Sequence, residues 1–144
     1  MATAEESDRY ACRLDDRQIL PLNDLTRAAA ALAAGRLDAA ESYCRAALGQ
    51  EEDATGLARI DLADVLLAKG ETADARVLLD EFFAAAPGGV PLLAARAVSV
   101  TLRRAEGDDA GARSLLEQVR AEFTAAGFGW QRYTDRLVTP GRNA

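Results

Sequence analysis

Helix-length apolar runs alternate along the chain with short polar breaks. From Leu66 to Gly88 it reads LLAKGETADARVLLDEFFAAAPG. Apolar residues at three- and four-residue spacing stop at Gly70, resume at Ala73 and stop again at Pro87. That spacing lines apolar side chains along one face of an α-helix. The punctuation recurs on both sides: RAAAALAAGRLDAAESYCRAAL turns at Gly35, and LAARAVSVTLRRAEGDDAGARSLLEQV turns at Gly107. The turn glycines therefore stand 35 and 37 residues apart, and an alanine follows each by five positions, at Ala40, Ala75 and Ala112.

A period in this range predicts a solenoid of helical hairpins. Each unit is two antiparallel helices joined by a tight turn. Glycine suits that turn because it ends a helix in the left-handed conformation at little steric cost. The alanine falls where the two helices cross. Start signals for the second helix follow the turn: Asp38 precedes Glu41 by three, a capping-box spacing, and Asp108 or Asp109 supplies an acceptor in the third unit.

These residues resemble the tetratricopeptide repeat, a helical hairpin of about 34 residues. In the middle unit Leu62, Ala63 and Leu66 match the packing positions of the first helix. Gly70 matches the turn, Ala75 the crossing and Pro87 the terminating proline. The first unit keeps Gly35, Ala40, Ala47 and Leu48, with Asp24 near the place of the family's aromatic. The third keeps Gly107, Asp108 and Ala112, with Val100 and Arg103 at the usual small and aromatic positions. The resemblance implies an all-α fold, a right-handed α-solenoid of antiparallel hairpins with a C-terminal capping helix. The expected organisation is an N-terminal arm over 1–20 and a helical domain over 21–138. Repeats span about 22–52, 53–88 and 91–126, a cap helix 129–138, and a disordered tail 139–144. Trp130, Tyr133 and Leu137 share one helical face suited to covering the last repeat. The ending is similar to the last helix in repeat arrays of bacterial signalling ATPases and transcription regulators.

Composition narrows the function. The 144 residues are 49% hydrophobic and 28% charged, with a net charge of −6. A nucleic-acid partner calls for a basic surface, so none is expected. The charge is uneven: residues 22–87 hold 12 acids and 6 bases, and residues 88–144 hold 6 acids and 8 bases. No run approaches the roughly 18 apolar residues of a membrane span, and MATAEESD is not a signal peptide. Two cysteines, Cys12 and Cys44, form no redox or metal-binding motif. Cys44 sits at an apolar helical position and reads as core. A cytoplasmic protein with reduced thiols fits best.

Histidine is absent, which removes the commonest general base and transition-metal ligand. There is no Walker A motif, and GFG at 127–129 is too short for a dinucleotide fingerprint. Glu51, Glu52 and Asp53 read as a polar connection. Glu106, Asp108 and Asp109 read as a repeat turn, since EGDDAGARS lacks the ligand alternation of a calcium loop. No enzyme, metal or cofactor is expected.

The family resemblance implies that the first helix of each hairpin lines a concave face. By register from each turn glycine, that face holds Leu25, Ala29 and Leu32 in unit one. Unit two offers Ile60, Asp61, Asp64, Leu67 and Ala68, and unit three Ala97, Thr101 and Arg104. The Lys, Asn and Arg with which the family's best-known clamp grips a carboxylate do not occur at the corresponding places in units one and two. The expected partner is a protein or peptide segment, apolar or amphipathic, with a basic residue opposite Asp61 and Asp64. An adaptor or chaperone would use such a face. The alternatives are a homodimer through it, a regulatory or sensor role with a small ligand, and docking of the chain's own arm through Tyr10, Leu14 and Ile19.

Overall fold

The computed structural model describes residues 19–50, 56–85 and 88–127. They form six helices and, among the described residues, no strand: α1 Ile19–Ala33, α2 Leu37–Gln50, α3 Leu57–Ala68, α4 Thr72–Ala84, α5 Gly89–Ala105 and α6 Asp109–Ala126. Consecutive helices pair as three hairpins, α1/α2, α3/α4 and α5/α6. Between hairpins α2 packs on α3 and α4 on α5, while α1, α3 and α5 lie side by side. The result is a helical-repeat solenoid with α3 at its centre.

The three turns are copies of one another. Gly35, Gly70 and Gly107 have φ of 75°, 83° and 84°. After each, the next residue's N–H reaches back five residues to a helix carbonyl: Arg36 to Ala31 at 2.9 Å, Glu71 to Leu66 at 2.8 Å, Asp108 to Arg103 at 2.9 Å. This is the Schellman closure, which satisfies carbonyls that a helix end leaves open. Ala40, Ala75 and Ala112 are fully buried, because a larger side chain at the crossing would separate the helix axes. The core runs along the stack through Cys44, Leu62, Leu66, Leu79, Val98, Val100 and Val119.

The two expected helix starts diverge. Asp108 is the N-cap of α6 and accepts the Gly111 N–H at 2.9 Å. Asp38 is not a cap, because α2 already begins at Leu37. Its carboxylate instead meets Lys69 Nζ at 2.9 Å. Glu41, its expected capping-box partner, joins the same ammonium and also takes Arg45 Nε at 3.0 Å.

That lysine reveals a second periodic feature. Glu41 stands six residues after the turn glycine of unit one, and Lys69 one residue before that of unit two. Arg76 and Glu106 occupy the same two positions in units two and three. Glu41 pairs with Lys69, and Arg76 forks onto Glu106 with its Nε 2.6 Å from the carboxylate. Successive interfaces thus carry the same ion pair with its polarity reversed. Residues 1–18 and the expected cap, with Trp130, Tyr133 and Leu137, lie outside the described residues, as do Cys12, Pro87 and Glu51, Glu52 and Asp53.

Candidate partner-binding face

The layer formed by α1, α3 and α5 carries every residue expected to meet a partner. On α1, Leu25 is buried in a small cluster with Ala47 and Ala58, while Ala29 and Leu32 are half-buried. On α5, Ala97 is buried and Thr101 and Arg104 are half-buried. On α3, Ile60 is fully covered, Leu67 is 8% exposed, and Asp61 and Asp64 are each 4% exposed. Ala68 is half-buried. The outer residues of the face thus keep some surface, and its middle is closed.

Helical geometry sets where the two acids stand. At 3.6 residues per turn, neighbouring side chains are about 100° apart around the axis. Leu62, Ala63 and Leu66 cluster on one side of α3, and Asp61 and Asp64 fall at the middle of the opposite side. A carboxylate out of water is costly unless hydrogen-bonded. The structure meets that demand: among the described residues no buried side-chain oxygen or nitrogen lacks a hydrogen-bond partner.

The charged groups between units have the electrostatics of structural pairs. Hydrogen bonds from Lys69 and then Arg45 hold the Glu41 carboxyl below its usual range. Arg76 does the same to Glu106, and Glu41 with Asp38 raises the Lys69 ammonium. The acids of the third turn are therefore occupied, Glu106 by Arg76 and Asp108 by its helix. Among the described residues no group of three or more acidic, cysteine or histidine side chains could hold a metal ion.

Residues outside the expected site also reach the surface. Val77 is 55% exposed and Phe83 lies partly open on α4, in the other helix layer. Register from the crossing residue Ala75 puts Leu79 and Phe82 on the buried side at i+4 and i+7, and Val77 at i+2 on the opposite side. The inter-unit ion pairs were also legible in the register, as opposite charges six after one turn glycine and one before the next.

Residues 31–98 match the tetratricopeptide repeat family, from the end of α1 through most of α5. That stretch supports reading the chain as a tetratricopeptide repeat protein. Repeats of this family are non-catalytic scaffolds that generally mediate protein–protein interaction. No curated protein and no solved structure matches the chain. Among the described residues no helix is long and apolar enough to cross a membrane.

Proposed function

We propose that this tetratricopeptide repeat protein is a cytoplasmic adaptor or chaperone that receives an apolar or amphipathic segment of another protein across α1, α3 and α5. The observation that carries the reading is the acid pair. Asp61 and Asp64 lie one turn apart on the side of α3 opposite Ala63 and Leu66, in the helix layer that also carries the half-buried Leu32 of α1 and Thr101 of α5. Two carboxylates among apolar neighbours favour a segment with a Lys or Arg at its centre and apolar residues on either side. The family supports the general activity, and the chemistry of this face supports the class of partner.

The test compares wild type with Leu32→Glu and with Asp61→Asn/Asp64→Asn, each first checked for native helicity by circular dichroism. Binding is followed by calorimetry against amphipathic peptides that do or do not carry a central Lys or Arg. The reading expects preference for the basic peptides, weakened in both variants, with a salt dependence that the Asn variant loses. Equal binding of basic and neutral peptides by wild type refutes the charge selection. Undiminished binding by Leu32→Glu moves the site off this face.

A further inference from the structure

Two surface stripes on the second helices of the hairpins depart from the repeat. The first is Asp74, Val77 and Glu81 on α4. Spacings of three and four residues put all three on one side of the helix. All are exposed, and Val77, at 55%, is the most exposed large apolar side chain among the described residues. Counted from the turn glycine, the matching places hold Ala39, Ser42 and Ala46 in unit one and Gly111, Ser114 and Gln118 in unit three. None of those is charged, so the hairpin itself does not require a stripe of acid, apolar residue and acid.

The second stripe is Arg113, Leu116 and Arg120 on α6, with the same spacing. Its counterparts mark the side of each second helix that meets the next hairpin. They are Glu41, Cys44 and Leu48 on α2, where Glu41 reaches Lys69 and Leu48 packs on the cluster holding Ala58. On α4 they are Arg76, Leu79 and Phe83, where Arg76 reaches Glu106. Those stripes carry one charge, at the turn end; on α6 the far end is a second arginine. Arg113 and Arg120 are exposed and Leu116 between them is half-buried. Among the described residues Asp74, Glu81, Arg113 and Arg120 make no ion pair.

We propose that the two stripes join copies of this chain, with Asp74, Val77 and Glu81 of one copy seated on Arg113, Leu116 and Arg120 of another. In both stripes the outer charges are seven residues apart, about 10 Å along the axis. With Val77 over Leu116, each carboxylate therefore meets a guanidinium whichever way the helices run, and the exposed valine leaves water. Neighbouring charges do not oppose this. Asp80 is held by Arg76 at 3.5 Å, and Glu117, next to Leu116, stands about 100° away around the helix. Within one chain the stripes cannot meet, because the α6 stripe faces away from the hairpin that carries α4. Simple end-to-end stacking fits less well. Unit one has Ala34 where Lys69 and Glu106 stand in the others, and Asp24, the acid of α1, is held by Arg27 at 3.3 Å. The contact is heterologous, each copy offering one stripe of each sign.

Sedimentation velocity on the full chain, over a concentration series at low and high salt, tests the proposal. The variants are Asp74→Arg/Glu81→Arg and Arg113→Glu/Arg120→Glu, with helicity checked by circular dichroism. Wild type should self-associate, and less so at high salt, because exposed charges are screened. Each variant sets like charges against each other and should weaken self-association about tenfold or more. An equimolar mixture of the two should associate again, since the basic α4 of one variant meets the acidic α6 of the other. Damage to the fold would not produce that recovery. A wild type that stays monomeric overturns the proposal, including one that instead binds an acidic amphipathic peptide through Arg113 and Arg120. Association that survives either reversal also overturns it, by placing the contact on another face, as does a mixture that stays dissociated. None of the four charges lies on α1, α3 or α5, so the peptide-binding reading stands or falls separately.

Discussion

Two glycines share one backbone conformation and differ in what surrounds them, which separates strain from packing. Gly35 and Gly56 both have φ of 75°. A Cβ at Gly35 would meet nothing within 4 Å, whereas at Gly56 it would stand 2.5 Å from Phe82 Cε2 and 2.6 Å from Cδ2. Gly35→Ala therefore carries only the left-handed penalty, about 1–2 kcal/mol, partly offset because alanine restricts the unfolded chain. Gly56→Ala carries the same penalty and must also move the ring by about 1 Å to restore carbon–carbon contact near 3.5 Å. Phe82 is 4% exposed and packs edge-on against Phe83 with centroids 5.6 Å apart, so it has little room to yield. Overpacking of this kind costs about 1–3 kcal/mol. The expected losses are about 1 kcal/mol for Gly35→Ala and about 2–4 kcal/mol for Gly56→Ala. Urea denaturation followed by circular dichroism measures both, and Phe82→Leu in the Gly56→Ala background should recover part of the larger loss. Equal destabilisation by the two alanines would refute the role given to the ring, as would a failure of Phe82→Leu to interact with Gly56→Ala.

Other expectations follow from the turns, caps and ion pairs. Gly70→Val forces a β-branched residue into φ of 83° and should cost about 2 kcal/mol or more; an unchanged thermal midpoint would contradict the turn geometry. A Cβ at Gly111 would stand 2.1 Å from the Asp108 carboxylate, so Gly111→Ala loses the cap, worth about 1 kcal/mol, while gaining about 1 kcal/mol of helix propensity. It should be nearly neutral in wild type and stabilising in Asp108→Ala; equal effects in both backgrounds would show that the cap survives. Because Glu41 and Glu106 are held below their ordinary value of 4.5, each contributes stability that is present above that pH and fades as pH falls below it. Glu41→Gln should flatten this acid limb in a series of urea midpoints. Lys69 is raised above its ordinary 10.5, so its contribution is present below that pH and fades at higher alkaline pH. The exchanged pair Glu41→Lys/Lys69→Glu should recover stability lost in either single variant, and failure to recover would deny the pair a role at the interface between units.

Some elements were fixed by residues close together in the sequence. A glycine ending a helix, an alanine five residues later and an apolar face between them specify a hairpin by local sterics alone. The turns at Gly35, Gly70 and Gly107 therefore formed where the punctuation placed them, and repetition of the hairpin was enough to imply the solenoid. The third unit's cap was legible, as Asp108 or Asp109, for the same reason, and the structure selects Asp108. Asp38 is not a cap because the helix starts one residue before it, at Leu37, and the ion pair its carboxylate makes instead, with Lys69 of the next unit, is not a local property of the chain. Leu79 rather than Val77 faces the core because it stands four residues after Ala75, on the side of the crossing, and Val77 stands two after it, on the far side.

The same division applies to the candidate site. Register from the turn glycines determined that Asp61 and Asp64 share one side of α3, because helical periodicity depends on the chain's own backbone. Whether that side meets water depends on what else packs against it. Burial is a property of the assembled molecule, summed over neighbours distant in sequence, and the tertiary structure alone showed the acid pair to be covered. The sequence by itself determined the repeating hairpin and the order of charges along it. The stacking of the hairpins decided which of those charges became ties between units.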